Sequence, residues 1–187
     1  GQILHLSVGD TTKLTATLAV GGLLGFGWAS RVLSRGADAF RMAAAGAAVG
    51  IPAFAAVILA APVASTTLFA AGTLLIGFGA GLFGHGTLTA TMSLAPKGQI
   101  GLALGAWGSV QATAGGLAVA LGGVARDTLA ALLAPTPAGA TMAYGAVYAV
   151  ELGLLAATLA VMIPLLRRGS WIVSVDKALI KPGRETS

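Results

Sequence analysis

Five long stretches of this chain carry almost no charge, and each is long enough to cross a lipid bilayer as a helix. They fall at about residues 12–33, 42–61, 67–94, 100–125 and 141–166. A helix needs about 20 predominantly apolar residues to span the hydrocarbon core. Inside that core every backbone amide must find its partner within the segment, so five such runs leave a helical bundle as the fold. The chain reads as an all-α transmembrane protein of about five spans, residues 1–168, followed by a polar tail over residues 169–187.

Composition agrees with that reading. Only 9% of the 187 residues are charged and 56% are hydrophobic. A soluble domain carries roughly 25% charged residues to dress its surface. Disorder is excluded too, because it requires low hydrophobicity. The absence of cysteine rules out disulfides, thiolate metal sites and thiol catalysis. The first residue is Gly1 and the first methionine is Met42, and no signal peptide is visible. The expectation is therefore a piece of a longer or processed protein.

The connections set the expected orientation. Arg31, Arg35, Arg41, Lys97, Arg167, Arg168, Lys177, Lys181 and Arg184 fall on one side of the membrane, and Lys13 and Arg126 on the other. Basic residues concentrate in cytoplasmic loops. Gly1 is thus expected on the periplasmic side and the tail in the cytoplasm, as an odd number of spans requires. The net charge of +5 reports this topology rather than nucleic-acid binding. Trp28 and Trp171 stand near predicted membrane boundaries as interfacial anchors, and Ser7 and Asp10 have capping-box spacing before the first span.

Small residues recur four apart in four spans, at Gly21/Gly25, Gly46/Gly50, Gly77/Gly81 and Gly101/Gly105. Such pairs let helix backbones approach closely. The run from Gly77 to Gly81 lies within an apolar span and reads as packing, not as a phosphate loop.

Ionisable residues inside a membrane are costly and mark candidate sites. Glu151 lies near the middle of the fifth span and His85 in the third, between Gly84 and Gly86. Glu151 suits a proton-coupling carboxyl, an anchor for a polar ligand group or a metal ligand; alternatively it is a protonated carboxyl bonded to a neighbouring helix. His85, with glycine on both sides, suits an axial ligand to the magnesium of a chlorophyll-type macrocycle. The competing reading is a packing histidine bonded to a carbonyl or hydroxyl. Trp107 and Gln111, one turn apart in the fourth span, offer an aromatic face beside an amide, or simple interhelical glue. Thr87, Thr89 and Thr91 are expected to bond to their own helix or across to another, and Arg126-Asp127 to cap the outer end of the fourth helix. No nucleophile–base or metal constellation can be assembled, so an enzyme is not expected.

Several blocks together resemble the PucC/LhaA family, also called the bacteriochlorophyll delivery family. They are Gly77-Phe-Gly-Ala-Gly-Leu-Phe-Gly-His-Gly-Thr-Leu-Thr-Ala-Thr-Met92, Gly101-Leu-Ala-Leu-Gly-Ala-Trp-Gly-Ser-Val-Gln-Ala-Thr-Ala114 with its continuation to Arg126-Asp127, Leu6-Ser-Val-Gly-Asp-Thr-Thr-Lys-Leu-Thr15 and Ser34-Arg-Gly-Ala-Asp38. The resemblance covers about residues 1–168 and not the tail. It implies the last five helices of a major-facilitator fold of twelve, without the N-terminal half of that fold. It further implies assembly of the light-harvesting antenna complexes LH1 or LH2 in the photosynthetic inner membrane of a bacterium. The implied partners are membrane lipid and antenna polypeptides or the reaction centre–LH1 complex, with bacteriochlorophyll as the implied cofactor. His85, Trp107, Gln111 and Glu151 are the candidate pigment-contacting residues, and they rest on the chemistry of the residues rather than on the family. Two other functions stay open: a secondary transporter coupled through Glu151, and a structural subunit of a photosynthetic complex.

Overall fold

The computed structural model describes residues 8–134 and 139–179. Ser7 and His5 lie outside them, as do the end of the tail and the prolines between the last two helices. Among the described residues every regular element is a helix: α1 Val8–Leu33, α2 Ala39–Ala60, α3 Thr66–Leu94, α4 Ile100–Leu133 and α5 Gly139–Leu179. All five contain a stretch long and apolar enough to cross a membrane, and the chain is a multi-pass membrane protein. Its surface is the apolar one that a lipid-facing bundle needs: Val119 is 79% exposed and Leu23 74%, whereas no polar or charged described residue is buried.

The helix ends follow local chemistry. Gly36, at φ +88°, closes α1, with the Gly36 amide on the Leu33 carbonyl at 2.9 Å and the Ala37 amide on that of Val32 at 3.4 Å. That is the Schellman pattern, which uses glycine in the left-handed region. Asp38 then caps α2 by accepting from the Arg41 amide at 2.8 Å, and Ser65 caps α3 through the Leu68 amide at 3.2 Å. Pro96 to Gln99 forms a turn, with Gly98 at φ +82° and the Gln99 amide on the Pro96 carbonyl at 3.0 Å.

The end of α2 repeats the Schellman pattern without glycine. The Ala64 amide meets the Ala61 carbonyl at 3.1 Å, the Ser65 amide meets that of Ala60 at 3.0 Å, and Ala64 itself sits at φ +48°. A Cβ in the left-handed region costs about 1 kcal/mol. Ala64→Gly is therefore expected to stabilise the protein by about 1 kcal/mol, raising the thermal midpoint by about 3 °C. A lowered midpoint in a thermal unfolding scan would contradict this.

Helix α3 is the hub, packed extensively on both α1 and α2. Toward α1, a Cβ at Gly77 would overlap the Leu18 carbonyl oxygen and one at Gly81 that of Gly22, while Gly21 and Gly25 stand in the same relation to Leu74 and Phe78. Toward α2, Gly72, Gly79 and Gly86 repeat every seven residues. Cβ atoms there would come to 2.9 Å from the Ala53 oxygen, 2.8 Å from the Gly46 oxygen and 2.6 Å from the Ala43 nitrogen. Backbone thus touches backbone on both sides of α3, the packing mode that small residues permit in membranes. The expected pairs in α1 and α3 are used in this way. In α2, Gly46 meets the α3 backbone and Gly50 the Leu155 side chain of α5. The fourth pair is not used: Gly101 and Gly105 face open space, and α4 has no buried residue.

Two small apolar clusters complete the core. Ala29, Met42 and Leu82 gather Val49 and Phe78, and Ala43, Ala44 and Met162 gather Phe83 and Leu159. Prolines lie inside α2 (Pro52) and α5 (Pro164), as transmembrane helices tolerate. Helix α4 continues past Arg126-Asp127 to Leu133, so the pair does not cap it. Helix α5 likewise carries the backbone past Arg168 to Leu179, beyond the point where the sequence suggests a tail.

Candidate functional site

The end of the bundle that holds the α1–α2 and α3–α4 connections, and most of the basic residues, is called the basic end below. His85 lies in the half of α3 nearest it. Two α3 residues apart are about 200° apart around the helix axis. His85 consequently faces α1 while Thr87 faces the opposite side. The imidazole is half-buried, and the Phe26 ring of α1 meets it edge-on at 4.2 Å between centroids. Its Nδ1 is enclosed and has no hydrogen-bond partner among the described residues. Among those residues Nδ1 bonds to neither a carbonyl nor a hydroxyl. The two flanking glycines differ: Gly86 is filled by the α2 backbone at Ala39 and Ala43, and Gly84 has open space around its Cβ position. A Cβ added at Gly84 would meet nothing within 4 Å, so of the two glycines only Gly84 leaves open space beside it.

Trp107 projects from α4 to α3, where its Nε1 donates to the Thr87 hydroxyl at 3.2 Å. Thr87 passes its own proton to the Phe83 carbonyl at 2.9 Å, sharing it with Gly84 at 3.1 Å, and Thr91 bonds back to the Thr87 carbonyl at 2.9 Å. Trp107 is thus an interhelical bond as well as an aromatic face. Gln111 is exposed on α4. Two apolar clefts flank this contact. One, of about 490 Å³, is lined by Thr91, Leu94, Ala103, Trp107 and Val110. The other, of about 730 Å³, is lined by Phe83, Thr87, Thr91, Leu94, Leu154 and Val161.

Glu151 is half-buried on α5, and no hydrogen bond holds it among the described residues. One turn before it, Tyr148 begins an aromatic series that the sequence reading missed. The Tyr148 ring stands 6.1 Å from Phe54 of α2 and 6.5 Å from Tyr144. The Arg126 guanidinium lies 5.7 Å from the centre of the Tyr144 ring and donates to its hydroxyl at 3.2 Å. Arg126 also binds Asp127, its Nε donating at 2.9 Å and its Nη2 closing an ion pair with the same carboxylate. The signal available in the sequence was the Tyr144/Tyr148 spacing, which puts both rings on one face of α5.

The four candidate residues thus occupy different helix pairs. His85 faces α1, Trp107 joins α4 to α3, Gln111 looks outward and Glu151 lies beside the aromatic series of α5. Among the described residues no three His, Asp or Glu side chains gather to hold a metal ion. A chlorophyll-type magnesium needs only one protein ligand. His85 would be the residue to hold such a magnesium, through Nε2, and its Nδ1 has no acceptor among the described residues to orient the ring.

No solved structure matches the chain. Known sequences do. Protein PucC of Cereibacter sphaeroides is 55% identical over 167 residues, which cover 89% of this chain and 36% of that protein. Protein PucC of Rhodovulum sulfidophilum is 62% identical over 129 residues, 69% of this chain and 28% of that protein. Protein PucC of Rhodobacter capsulatus is 53% identical over 171 residues, 90% and 37% respectively. The chain spans about a third of the length of these curated relatives. The family described as PUCC protein matches residues 1–170, and with the relatives it establishes that the chain belongs to the PucC family.

Proposed function

We propose that this chain is part of a non-enzymatic assembly factor for photosynthetic light-harvesting complexes, LH1 or LH2, that handles bacteriochlorophyll and docks antenna polypeptides. The observation that carries the reading is His85: an imidazole in an apolar bundle, with one nitrogen enclosed and unpartnered and an opening beside Gly84. Membership of the PucC family supports it. When bound, the pigment supplies the light-absorbing macrocycle and its magnesium. The chain would supply one axial nitrogen from His85 and an apolar surface. Trp107 and Gln111 would offer a second contact surface on α4. In this reading the chain forms the last five helices of a major-facilitator fold. It lies in the bacterial inner, intracytoplasmic photosynthetic membrane with its basic end in the cytoplasm. Removing the parent protein from a phototrophic host tests the assembly role. Assembled antenna should fall while antenna polypeptides are still made; normal antenna levels would refute it.

One observation favours a transporter instead. Glu151 stands half-buried within a membrane span beside Tyr148, with no hydrogen bond among the described residues, as a proton-coupling carboxyl would. Glu151→Gln in the complete protein would then abolish pH-gradient-driven uptake. Uptake at the wild-type rate would remove this reading.

A further inference from the structure

We propose that Phe26 is the positioning residue for His85: the face of its ring takes the Nδ1 proton of the imidazole and so leaves the Nε2 lone pair free for a metal. The purpose of this arrangement rests on the pigment-handling reading of His85; its geometry does not.

A neutral imidazole carries one proton, on Nδ1 or on Nε2. Only the Nδ1–H form offers a magnesium the lone pair of Nε2. In most metal-binding histidines an oxygen acceptor on the other nitrogen fixes the form. No oxygen or nitrogen acceptor meets Nδ1 among the described residues. A segment elsewhere in the parent protein cannot supply one, because the atom is already closed off by the residues around it. The Thr87 hydroxyl does not compete, since it gives its proton to the Phe83 carbonyl on the opposite side of α3.

What stands beside the imidazole is a ring. The Phe26 and His85 centroids lie 4.2 Å apart, with 62° between the planes. In such a T the edge of one ring rests on the face of the other. The phenyl ring is the wider of the two, and standing on edge at this separation it would press into the imidazole. The smaller imidazole, turned edge-on to the phenyl face, fits. Its enclosed edge is the one that carries Nδ1. Backbone packing holds the pair together. Gly81 lies one turn before His85 on the same face of α3, and a Cβ there would come to 2.7 Å from the Phe26 nitrogen. Helix α1 is thus seated on α3 at the residue from which the Phe26 ring projects.

An aromatic face is the negative side of the ring quadrupole, so it repels a lone pair. It accepts an N–H, more weakly than an oxygen does. Phe26 therefore favours the Nδ1–H form of His85 over the Nε2–H form, and the enclosed N–H remains only partly satisfied.

Solid-state NMR of the full-length parent protein in lipid, free of pigment and carrying isotope-labelled histidine, reads the form directly. Alkaline buffer removes the second imidazole proton. Subtracting the spectrum of the His85→Leu protein isolates the His85 signals, and correlation with the ring carbons tells Nδ1 from Nε2. Wild-type His85 should be mainly Nδ1–H. Phe26→Leu should lower the ratio of Nδ1–H to Nε2–H about two- to fivefold, and Phe26→Tyr, which keeps the ring face, should hold it near wild type. Pentafluorophenylalanine in place of Phe26 keeps the ring shape and reverses the quadrupole. It should lower the ratio at least as far as leucine, and it serves if Phe26→Leu fails to fold. A ring kept only for packing would leave the ratio unmoved by fluorination. A mainly Nε2–H imidazole in wild type, or an unchanged ratio in the folded variants, would overturn the inference. No pigment enters the measurement, so failure of the pigment reading would leave each of these outcomes as informative as before.

Discussion

Gly25→Leu is expected to break the bundle, and Gly105→Leu to leave it folded. The two substitutions are chemically identical and both lie on membrane helices. At Gly25 a Cβ would overlap the Phe78 carbonyl oxygen and come to 3.0 Å from the Phe78 Cα, so the backbones of α1 and α3 must part. No rotamer relieves a clash with backbone. Separation forfeits the close dispersion contacts along the whole interface, because those contacts weaken steeply over a fraction of an ångström. Overpacking of this kind costs about 3 kcal/mol or more, or about 10 °C in thermal midpoint. At Gly105 nothing lies within 4 Å of the added atom. Helical signal followed during heating in detergent measures both. Equal losses in the two variants, or an undisturbed Gly25→Leu protein, would show that the α1–α3 contact is not what holds the fold.

His85→Leu is expected to move two quantities in opposite directions. Pigment retained by the full-length protein should fall at least about tenfold, because the axial nitrogen is gone. Stability should hold or rise. The Nδ1 of His85 is enclosed without a partner among the described residues, and an unsatisfied buried polar atom costs about 1–3 kcal/mol. Leucine removes that atom. A histidine kept only for packing would show the reverse: lost stability on substitution and no dependence of pigment on the side chain. Pigment content per folded protein, measured with the thermal midpoint of the same preparations, separates the two.

The five helices were legible because apolar length dominates every other signal in a membrane chain, and Gly77 to Gly81 were legible as packing for the same reason. What was not legible depended on which helices are neighbours. The four-residue glycine spacing drew attention away from Gly72, Gly79 and Gly86, whose seven-residue repeat makes the α2 contact. Arg126-Asp127 looked like a helix end because an isolated charge pair usually marks one. Tyr144 supplies a hydroxyl and a ring to the same guanidinium, and α4 continues to Leu133. Asp38 and Ser65 are ordinary N-cap residues that the sequence displays openly, and they set where α2 and α3 begin. The candidate residues were chosen one by one for their chemistry, and such a choice carries no information about azimuth. His85 and Thr87 are two positions apart, yet they serve opposite sides of α3.

The most direct test of pigment handling is an absorption spectrum. The full-length parent protein would be purified in mild detergent from a pigment-producing host that lacks antenna polypeptides. A near-infrared bacteriochlorophyll band that travels with the folded protein is the expected result. A colourless, folded protein would contradict it, and would leave His85 as a packing residue of α3.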